Sequence, residues 1–403
     1  RFYMTHALVE DGTYAIDGPW ARWGWVNDSA KTDDGRRFSV KAPGTSWLAV
    51  PAYALYSALP GEHDRRAALW VCRVAASILP TLAFLWWLYG WLSRRRRPDE
   101  GSALSDACFL SLALGANFYA YGLLFVSHTL AGVCGFAAFV LLRAGRRPAL
   151  AGLLAAGVTA FEYPGLVVSV VLTAQALTTL PRASWWRFAA GAAIPTLAVM
   201  HFHWSAFGSP FTPGHLWLDT AAYRALAREG IYGAASLPRP DALLGLTLDL
   251  GYGLLPATPI FAAALLPSRQ RGGAWALAAA VSLLAAVACL NNWRGGWTVG
   301  PRYLTPVMPI LAWRAYEGLR ALPWRRAAEV VALLSSGPPE EGVPPKENLC
   351  AEDATPASTR ACAASVWTLS RRYLPASRTR RRRRRSKRTM AMVSPQPSGR
   401  KCL

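Results

Sequence analysis

The sequence lacks the cysteine patterns that mark metal sites and disulfide-stabilised domains. None of its seven cysteines forms a CxxC pair, and no histidine stands at ligand spacing from one. The cysteines lie in apolar runs or near the C-terminal end: Cys72, Cys108, Cys134, Cys289, Cys350, Cys362 and Cys402. We therefore expect structurally inert thiols, with no zinc site and no disulfide framework. No cofactor is predicted, although no pattern excludes a divalent metal.

The chain also lacks an internal repeat of fixed period, and its long apolar runs contain little charge apart from Arg73 and Asp249. What it has instead is apolar sequence: 53% of 403 residues are hydrophobic, and 18 are Trp. Several runs approach the roughly 20 residues that cross a hydrocarbon core of about 30 Å. The distribution predicts an integral membrane protein.

Positive charge is concentrated between the apolar runs. The net charge of +21 raises the possibility of a nucleic-acid partner, but much of it lies in short turns and in the C-terminal tail. Five clusters fall at near-regular intervals: Arg94 to Arg97, Arg143 to Arg147, Arg182 to Arg187, Arg269 to Arg271, and Arg325 to Arg326. Lys and Arg accumulate on the cytoplasmic side of membrane spans. We therefore expect no nucleic-acid binding, and we expect the polar, Trp- and Gly-rich stretches to lie outside the cell. On that side the first loop, Glu162, His128 and the loop 293–303 are expected to form a single cavity.

The predicted fold class is an all-α polytopic membrane protein with about nine transmembrane helices and long external loops. Residues 1–66 are expected to form a first external loop with short interfacial helices. Residues 67–326 are expected to form the transmembrane domain, with external loops at 205–241 and 291–303. The apolar run 149–180 is expected to make two passes that break at Glu162-Tyr163-Pro164, because one helix would place the Arg182 cluster outside.

Both ends of the chain deviate from this pattern. The sequence begins at Arg1 without Met or a signal sequence, and its apolar pattern stops after about Leu334. Residues 327–403 are predicted to be a disordered basic tail. A second hypothesis is that this tail is translated out of frame and that an upstream span is missing.

The first candidate site lies in the N-terminal loop. Asp28 precedes the segment Lys41-Ala42-Pro43-Gly44. A carboxylate can accept a proton from an attacking hydroxyl, and an ammonium can neutralise a lipid phosphate. The alternative is an ordinary solvated loop with a Pro-Gly turn.

The second candidate is Glu162-Tyr163-Pro164, and His128 is considered separately. An ionisable residue within an apolar stretch is costly to bury and is a functional candidate for that reason. His128 is expected at an outer turn between two spans, where it could face a cavity. Alternatively, Glu162 is hydrated at the membrane interface and His128 is structural.

The third candidate is the loop from Asn291 to Tyr303. Its glycines allow close backbone approach, Trp293 and Trp297 offer flat stacking faces, and Arg294 and Arg302 offer forked donors for phosphate. Tyr303 closes the loop. Tryptophans are also common as anchors at membrane interfaces, which is the alternative explanation.

Taken in order, the segments "RFYMTHALVEDGTYAID", "KAPGTSWLAVPAYAL", "SHTLAG", "FEYPGLV", "FGSPFTPGH" and "WRGGWTVGPRYLTPVMPIL" resemble a known family. They are similar to bacterial polyprenyl-phosphate-dependent membrane glycosyltransferases of the GT-C superfold. Within that superfold they resemble the dolichyl-phosphate-mannose mannosyltransferases and glycosyltransferase family 39. The resemblance covers roughly residues 1–323. It indicates the superfamily and leaves the sugar and the acceptor open.

The resemblance implies transfer of a sugar from a lipid-phosphate donor at the external face of the bacterial inner membrane. The partners would be the donor, membrane lipids, and an acceptor glycan, lipid or protein. Members place an acidic residue in the first external loop, soon after the first span. That residue is expected upstream of Arg1, or else Asp28 or Asp11 substitutes for it. Lys41 and Arg302 match the basic positions near the donor phosphate.

Two other functions remain open at this point. A transporter or flippase of lipid-linked sugars would carry ionisable residues near the bilayer midplane and paired broken helices. A truncated, inactive fragment would keep the fold without the activity.

Overall fold

The computed structural model describes residues 1–323 except 62, 99, 232, 234–236, 269 and 297–298. Within these residues the protein is mostly helical, with sixteen α-helices and one two-stranded hairpin. The predicted basic tail, 327–403, lies outside the described residues.

The N-terminal part folds as short helices around the hairpin. Its elements are α1 (Phe2–His6), α2 (Asp17–Trp23), β1 (Ser29–Lys31), β2 (Arg37–Ser39) and α3 (Gly44–Ser57). A π-helical turn extends α1 to Asp11 and ends at Gly12, whose φ of 62° suits glycine. The strands pair antiparallel, with Ala30 opposite Phe38. Helix α3 continues through Pro51.

The middle of the chain forms the helices that carry most of the apolar core. They are α4 (Arg65–Arg73), α5 (Leu79–Ser93), α6 (Ala103–Leu110), α7 (Asn117–Gly122), α8 (His128–Arg143), α9 (Pro148–Phe161), α10 (Leu166–Thr179) and α11 (Trp185–Phe207). Asp64 caps α4 by accepting from the backbone N–H of Arg66 and Ala67 at 2.9 and 3.0 Å. The break predicted at Glu162-Tyr163-Pro164 is present, because α9 ends at Phe161 and a 3₁₀ turn precedes α10.

The remaining helices are shorter and separated by glycine- and proline-containing turns. They are α12 (Ala221–Arg228), α13 (Pro240–Thr247), α14 (Leu254–Ala257), α15 (Gly273–Ala288) and α16 (Met308–Arg320). A 3₁₀ segment, Pro259–Leu265, packs against α16, and another, Arg302–Val307, leads into it.

The prediction of an all-α polytopic protein with about nine transmembrane helices is wrong. In the described part of the chain, one helix is both long and apolar enough to cross a membrane by length and composition. It is the 29-residue continuous helix Arg65–Ser93, which joins α4 and α5 through a π-helical turn. A single such helix is weak evidence for a membrane span, because core helices of soluble proteins meet the same criteria.

Helix α11, with 23 residues, is long enough to cross but is not apolar enough. Most of the other predicted spans fail for two physical reasons. Some form apolar helices that are too short: α9, for example, has 14 residues and a length of about 21 Å. Others do not form one helix. The run 242–266 is divided at Leu248 to Gly253 and again at Thr258, where glycine and proline interrupt helical hydrogen bonding.

Two apolar cores hold the structure together. The larger one is built mainly from α5 to α10 and α13 to α16, and its largest fully buried side chains include Trp313, Phe136 and Phe139. The smaller one joins the N-terminal part to the end of α11 through Phe38, Phe202 and Phe207. The N-terminal hairpin and loop therefore pack beside the ends of the longer helices, where several polar residues are buried.

Candidate functional site

The break between α9 and α10 places Glu162 at the centre of a buried polar cluster. Its Oε2 lies 2.8 Å from Nδ1 of His128 and accepts a 2.9 Å hydrogen bond from the hydroxyl of Ser127. Ser127 and His128 begin α8, so two helix ends face each other here. Nη2 of Arg1 donates to the Ser127 hydroxyl at 2.6 Å and lies 4.0 Å from Glu162. Polar and charged side chains from three separate parts of the chain therefore meet here: the N-terminus, the start of α8 and the break after α9.

Electrostatics favour an ionised Glu162. Burial opposes the charged form, but His128, Arg1 and the Ser127 hydrogen bond outweigh burial and hold the pKa of Glu162 well below its usual range. Burial lowers the pKa of His128 more than Glu162 raises it. Arg1 and the Ser127 hydroxyl stabilise the Glu162 carboxylate whether or not His128 is protonated.

The N-terminal hairpin brings a second ion pair to this cluster. Nζ of Lys41 lies 2.9 Å from Oδ1 of Asp28, and the Asp28 side chain is 57% exposed. Burial raises the pKa of Asp28, but Lys41 and Arg1 outweigh that effect and lower it. Asp28 also interacts electrostatically with Arg1, which links the hairpin to the Glu162 cluster. Asp28 is therefore an ionised carboxylate that solvent can reach.

Arg302 and Tyr303 lie beside His128. The guanidinium of Arg302 lies over the ring of Tyr303, 5.0 Å from its centroid, and the Tyr303 ring meets His128 edge-on at 6.2 Å. Arg302 interacts electrostatically with Arg1 and Glu162. The Nε atoms of Arg1 and Arg302 are buried and have no hydrogen-bond partner within the described residues. Two repelling guanidiniums therefore retain unused donors.

A tyrosine and two histidines lie beside this cluster. Nδ1 of His203 is 3.3 Å from the carbonyl of Pro210, and its Nε2 is 2.8 Å from the hydroxyl of Tyr163. Burial raises the pKa of Tyr163, so its hydroxyl stays protonated and donates. His215 packs edge-on against Tyr163 and interacts with Lys41, Asp28 and Glu162.

The structure does not bring every candidate residue into this group. Asp11 is exposed at the end of its π-helical turn, with Oδ2 beside Gly18. Arg294 lies over Trp293 and Tyr252 and is 3.5 Å from Asp249. Trp293 is buried against Gly245. Trp297 lies outside the described residues. The candidate site therefore contains Asp28, Lys41, His128, Glu162, Tyr163, Arg302 and Tyr303.

Sequence reasoning missed three contributors to the site. Arg1 and Ser127 had no motif of their own, and only their contacts with Glu162 reveal them. His215 had a usable signal, because it ends the segment "FGSPFTPGH".

The described residues contain no group of three or more His, Cys, Asp or Glu side chains placed to hold a metal ion. Comparison of the chain with protein-family models, curated proteins and solved structures finds no match. The resemblance to polyprenyl-phosphate-dependent glycosyltransferases therefore rests on the sequence segments alone.

Proposed function

We propose that the protein transfers a sugar from a polyprenyl-phosphate-linked donor to an acceptor hydroxyl. The observation that carries this proposal is the pair of guanidiniums, Arg1 and Arg302, whose buried Nε donors are unpartnered within the described residues. Such donors suit a phosphate, because forked guanidiniums bind its oxygens with charge-assisted hydrogen bonds.

The cations would act on the leaving group. When the bond between the sugar and the phosphate breaks, the electron pair leaves with the lipid phosphate, and its negative charge grows. Arg302 and Lys41 would stabilise that charge. Fixed donors in a water-poor site contribute more than the same groups in water.

Asp28 is the proposed proton acceptor. Its side chain is 57% exposed, so an acceptor hydroxyl can reach it, and Lys41 keeps it ionised. His128 is 3% exposed and contacts Glu162, so we assign both to a positioning role. Glu162 and Ser127 hold Arg1 in place, and His128 supports Glu162.

We further propose that the site faces the exterior of the bacterial inner membrane and that Arg65–Ser93 provides the membrane attachment. The basic cluster Arg94 to Arg97 directly follows the C-terminal end of this helix and supports this orientation, because basic clusters favour the cytoplasmic side.

The test is a transfer assay with labelled polyprenyl-phosphate sugars and membranes containing the full chain. Lys41→Ala and Arg302→Ala are expected to slow transfer by about 10² to 10³-fold, as loss of one charge-stabilising donor does elsewhere. Asp28→Asn is expected to slow it by about 10² to 10⁴-fold, the range for loss of a general base.

The chain offers matched controls. Arg294→Ala removes the other arginine of the same loop, and Asp11→Asn removes the other candidate acid; both are expected to keep near wild-type transfer. Full activity in all three site variants would overturn the proposal, as would the absence of transfer from any donor. Movement of the intact donor across the bilayer without transfer would identify a flippase instead.

A further inference from the structure

A second cluster of arginines lies away from the candidate site, with Arg314 buried and the other members partly buried. Four guanidiniums, those of Arg95, Arg143, Arg314 and Arg320, share this region with the carboxylates of Glu100 and Glu317. Arg320 is paired with both acids, at 3.0 Å from Glu100 and 3.5 Å from Glu317. Positive charge therefore exceeds negative charge, and the excess falls on the other three arginines.

Those three arginines retain unused donors. Arg314 is only 4% exposed, and its Nε and Nη1 have no hydrogen-bond partner within the described residues. The same holds for Nη1 of Arg143 and Nε of Arg95. A buried, unpaired donor costs free energy, and the cost is larger when the donor is charged.

Cation–π contacts with two tryptophans stabilise two of these guanidiniums. The guanidinium of Arg143 lies 4.7 Å from the ring centroid of Trp313, and that of Arg95 lies 4.0 Å from the ring of Trp91. Arg143 also stands in the last turn of α8, where the helix dipole favours a cation. Neither interaction supplies an acceptor for the unused N–H groups. Burial lowers the pKa of Arg95, Arg143 and Arg314 despite the attraction of Glu317.

Helix α15 begins beside two of these arginines. It has 16 residues, its N-cap Gly272 is in the left-handed conformation, and no side chain caps it. A Cβ on Gly272 would lie 3.3 Å from Cδ of Arg143, and one on Gly273 would lie 3.7 Å from Nε of Arg314. The positive end of a helix dipole therefore points toward cations, which repel it.

We infer that Arg143, Arg314 and the N-terminus of α15 form a binding site for a phosphate-type anion. An oxyanion there would accept from the unused guanidinium donors and from the first-turn N–H groups of α15. It would also resolve the repulsion between the helix terminus and the two arginines. Arg95 and Glu317 would complete the surroundings.

This site is separate from the proposed transfer site. His128 begins α8 and Arg143 ends it, so their backbones are about 22 Å apart along the helix. The inference does not depend on the proposed function, because it rests on different residues. The anion has two plausible sources of the same chemistry: free phosphate and the headgroup of an anionic lipid.

The test measures binding and stability of the full purified chain in detergent. Inorganic phosphate is expected to raise the thermal unfolding midpoint of the wild type. Arg143→Gln and Arg314→Met are each expected to weaken the apparent phosphate affinity by about tenfold or more, since each removes charge-assisted hydrogen bonds. The same unfolding midpoint is measured in nanodiscs of phosphatidylglycerol and of phosphatidylcholine at one concentration of inorganic phosphate. A higher midpoint in phosphatidylglycerol identifies a lipid headgroup as the ligand, and equal midpoints identify the free ion.

Arg314→Met is expected to remain folded, so a lost phosphate response in this variant reports on binding. In phosphate-free buffer it is expected to unfold at or above the wild-type temperature, because it removes an uncompensated buried charge. Arg271→Gln, an exposed arginine next to the helix, is the matched control and is expected to retain the full response. The inference is overturned if neither phosphate nor phosphatidylglycerol stabilises the wild type. An equal response in all three variants would overturn it as well.

Discussion

At the scale of residues, His215 makes the free energy of unfolding sensitive to pH. Burial and Lys41 lower the pKa of His215 to about 4, while Asp28 and Glu162 oppose them. Between pH 6.5 and about 4, the unfolded chain binds a proton at this histidine and the folded chain does not. The free energy of unfolding therefore falls as the pH falls through this window, by up to roughly 3 kcal/mol from this residue.

Denaturant titrations of the wild type and of His215→Gln at pH 7 and pH 4.5 check this expectation. The variant should lose less unfolding free energy on acidification than the wild type. His128 has the same direction of shift, so some loss should remain in the variant. Equal losses in the two proteins would show that His215 does not titrate abnormally.

Glu162 shows what a single residue reveals in the sequence. Its place before a proline within an apolar run was enough to predict a helix break and a candidate site. Its contacts with Arg1 and Ser127 were not predictable, because both residues are far from it in sequence and contact it only through the tertiary fold. The basic clusters did group the first loop, Glu162, His128 and the loop 293–303 on one side, but the pairing of Lys41 with Asp28 depends on how the hairpin packs against the helix ends.

At the scale of elements, α9 and α11 pack with their backbones in close approach. A Cβ on Gly152 would overlap the carbonyl oxygen of Phe188, and one on Gly191 would overlap that of Ala149. Because both carbonyl oxygens belong to the backbone, side-chain rotation cannot relieve the overlap. Gly152→Ala and Gly191→Ala are each expected to lower the free energy of unfolding by about 1–3 kcal/mol or more, measured by denaturant titration.

Gly157→Ala is the matched control on α9. Its Cβ would lie 3.5 Å from Sγ of Cys134, an ordinary contact, and alanine favours the helix by up to about 1 kcal/mol. This variant is expected to be neutral or stabilising. If Gly152→Ala and Gly191→Ala behave like Gly157→Ala, the close approach of α9 and α11 is incorrect.

The observed element boundaries explain why the prediction of nine spans was wrong. Apolar runs report hydrophobic content, whereas a span also needs unbroken helical hydrogen bonding over about 30 Å. The run 304–322 begins as a 3₁₀ segment and continues in α16, which buries Arg314 and Glu317. Only contacts among folded elements show that this run belongs to the core.

At the scale of the whole molecule, the helix Arg65–Ser93 is the one candidate membrane span in the described residues, and a third of its apolar window is buried. Leu79, Leu82 and Trp86 on this helix are exposed. An exposed apolar face of this kind would suit contact with a lipid-linked ligand, on which the proposed function depends.

Binding of polyprenyl phosphate to the purified chain tests the central proposal most directly, because it requires neither the sugar nor the acceptor. The wild type is expected to bind it, and Lys41→Ala and Arg302→Ala are expected to weaken binding by about tenfold or more each. Arg294→Ala should bind like the wild type. Equal binding by all four proteins, or no binding by the wild type, would contradict a lipid-phosphate site at Arg1, Lys41 and Arg302.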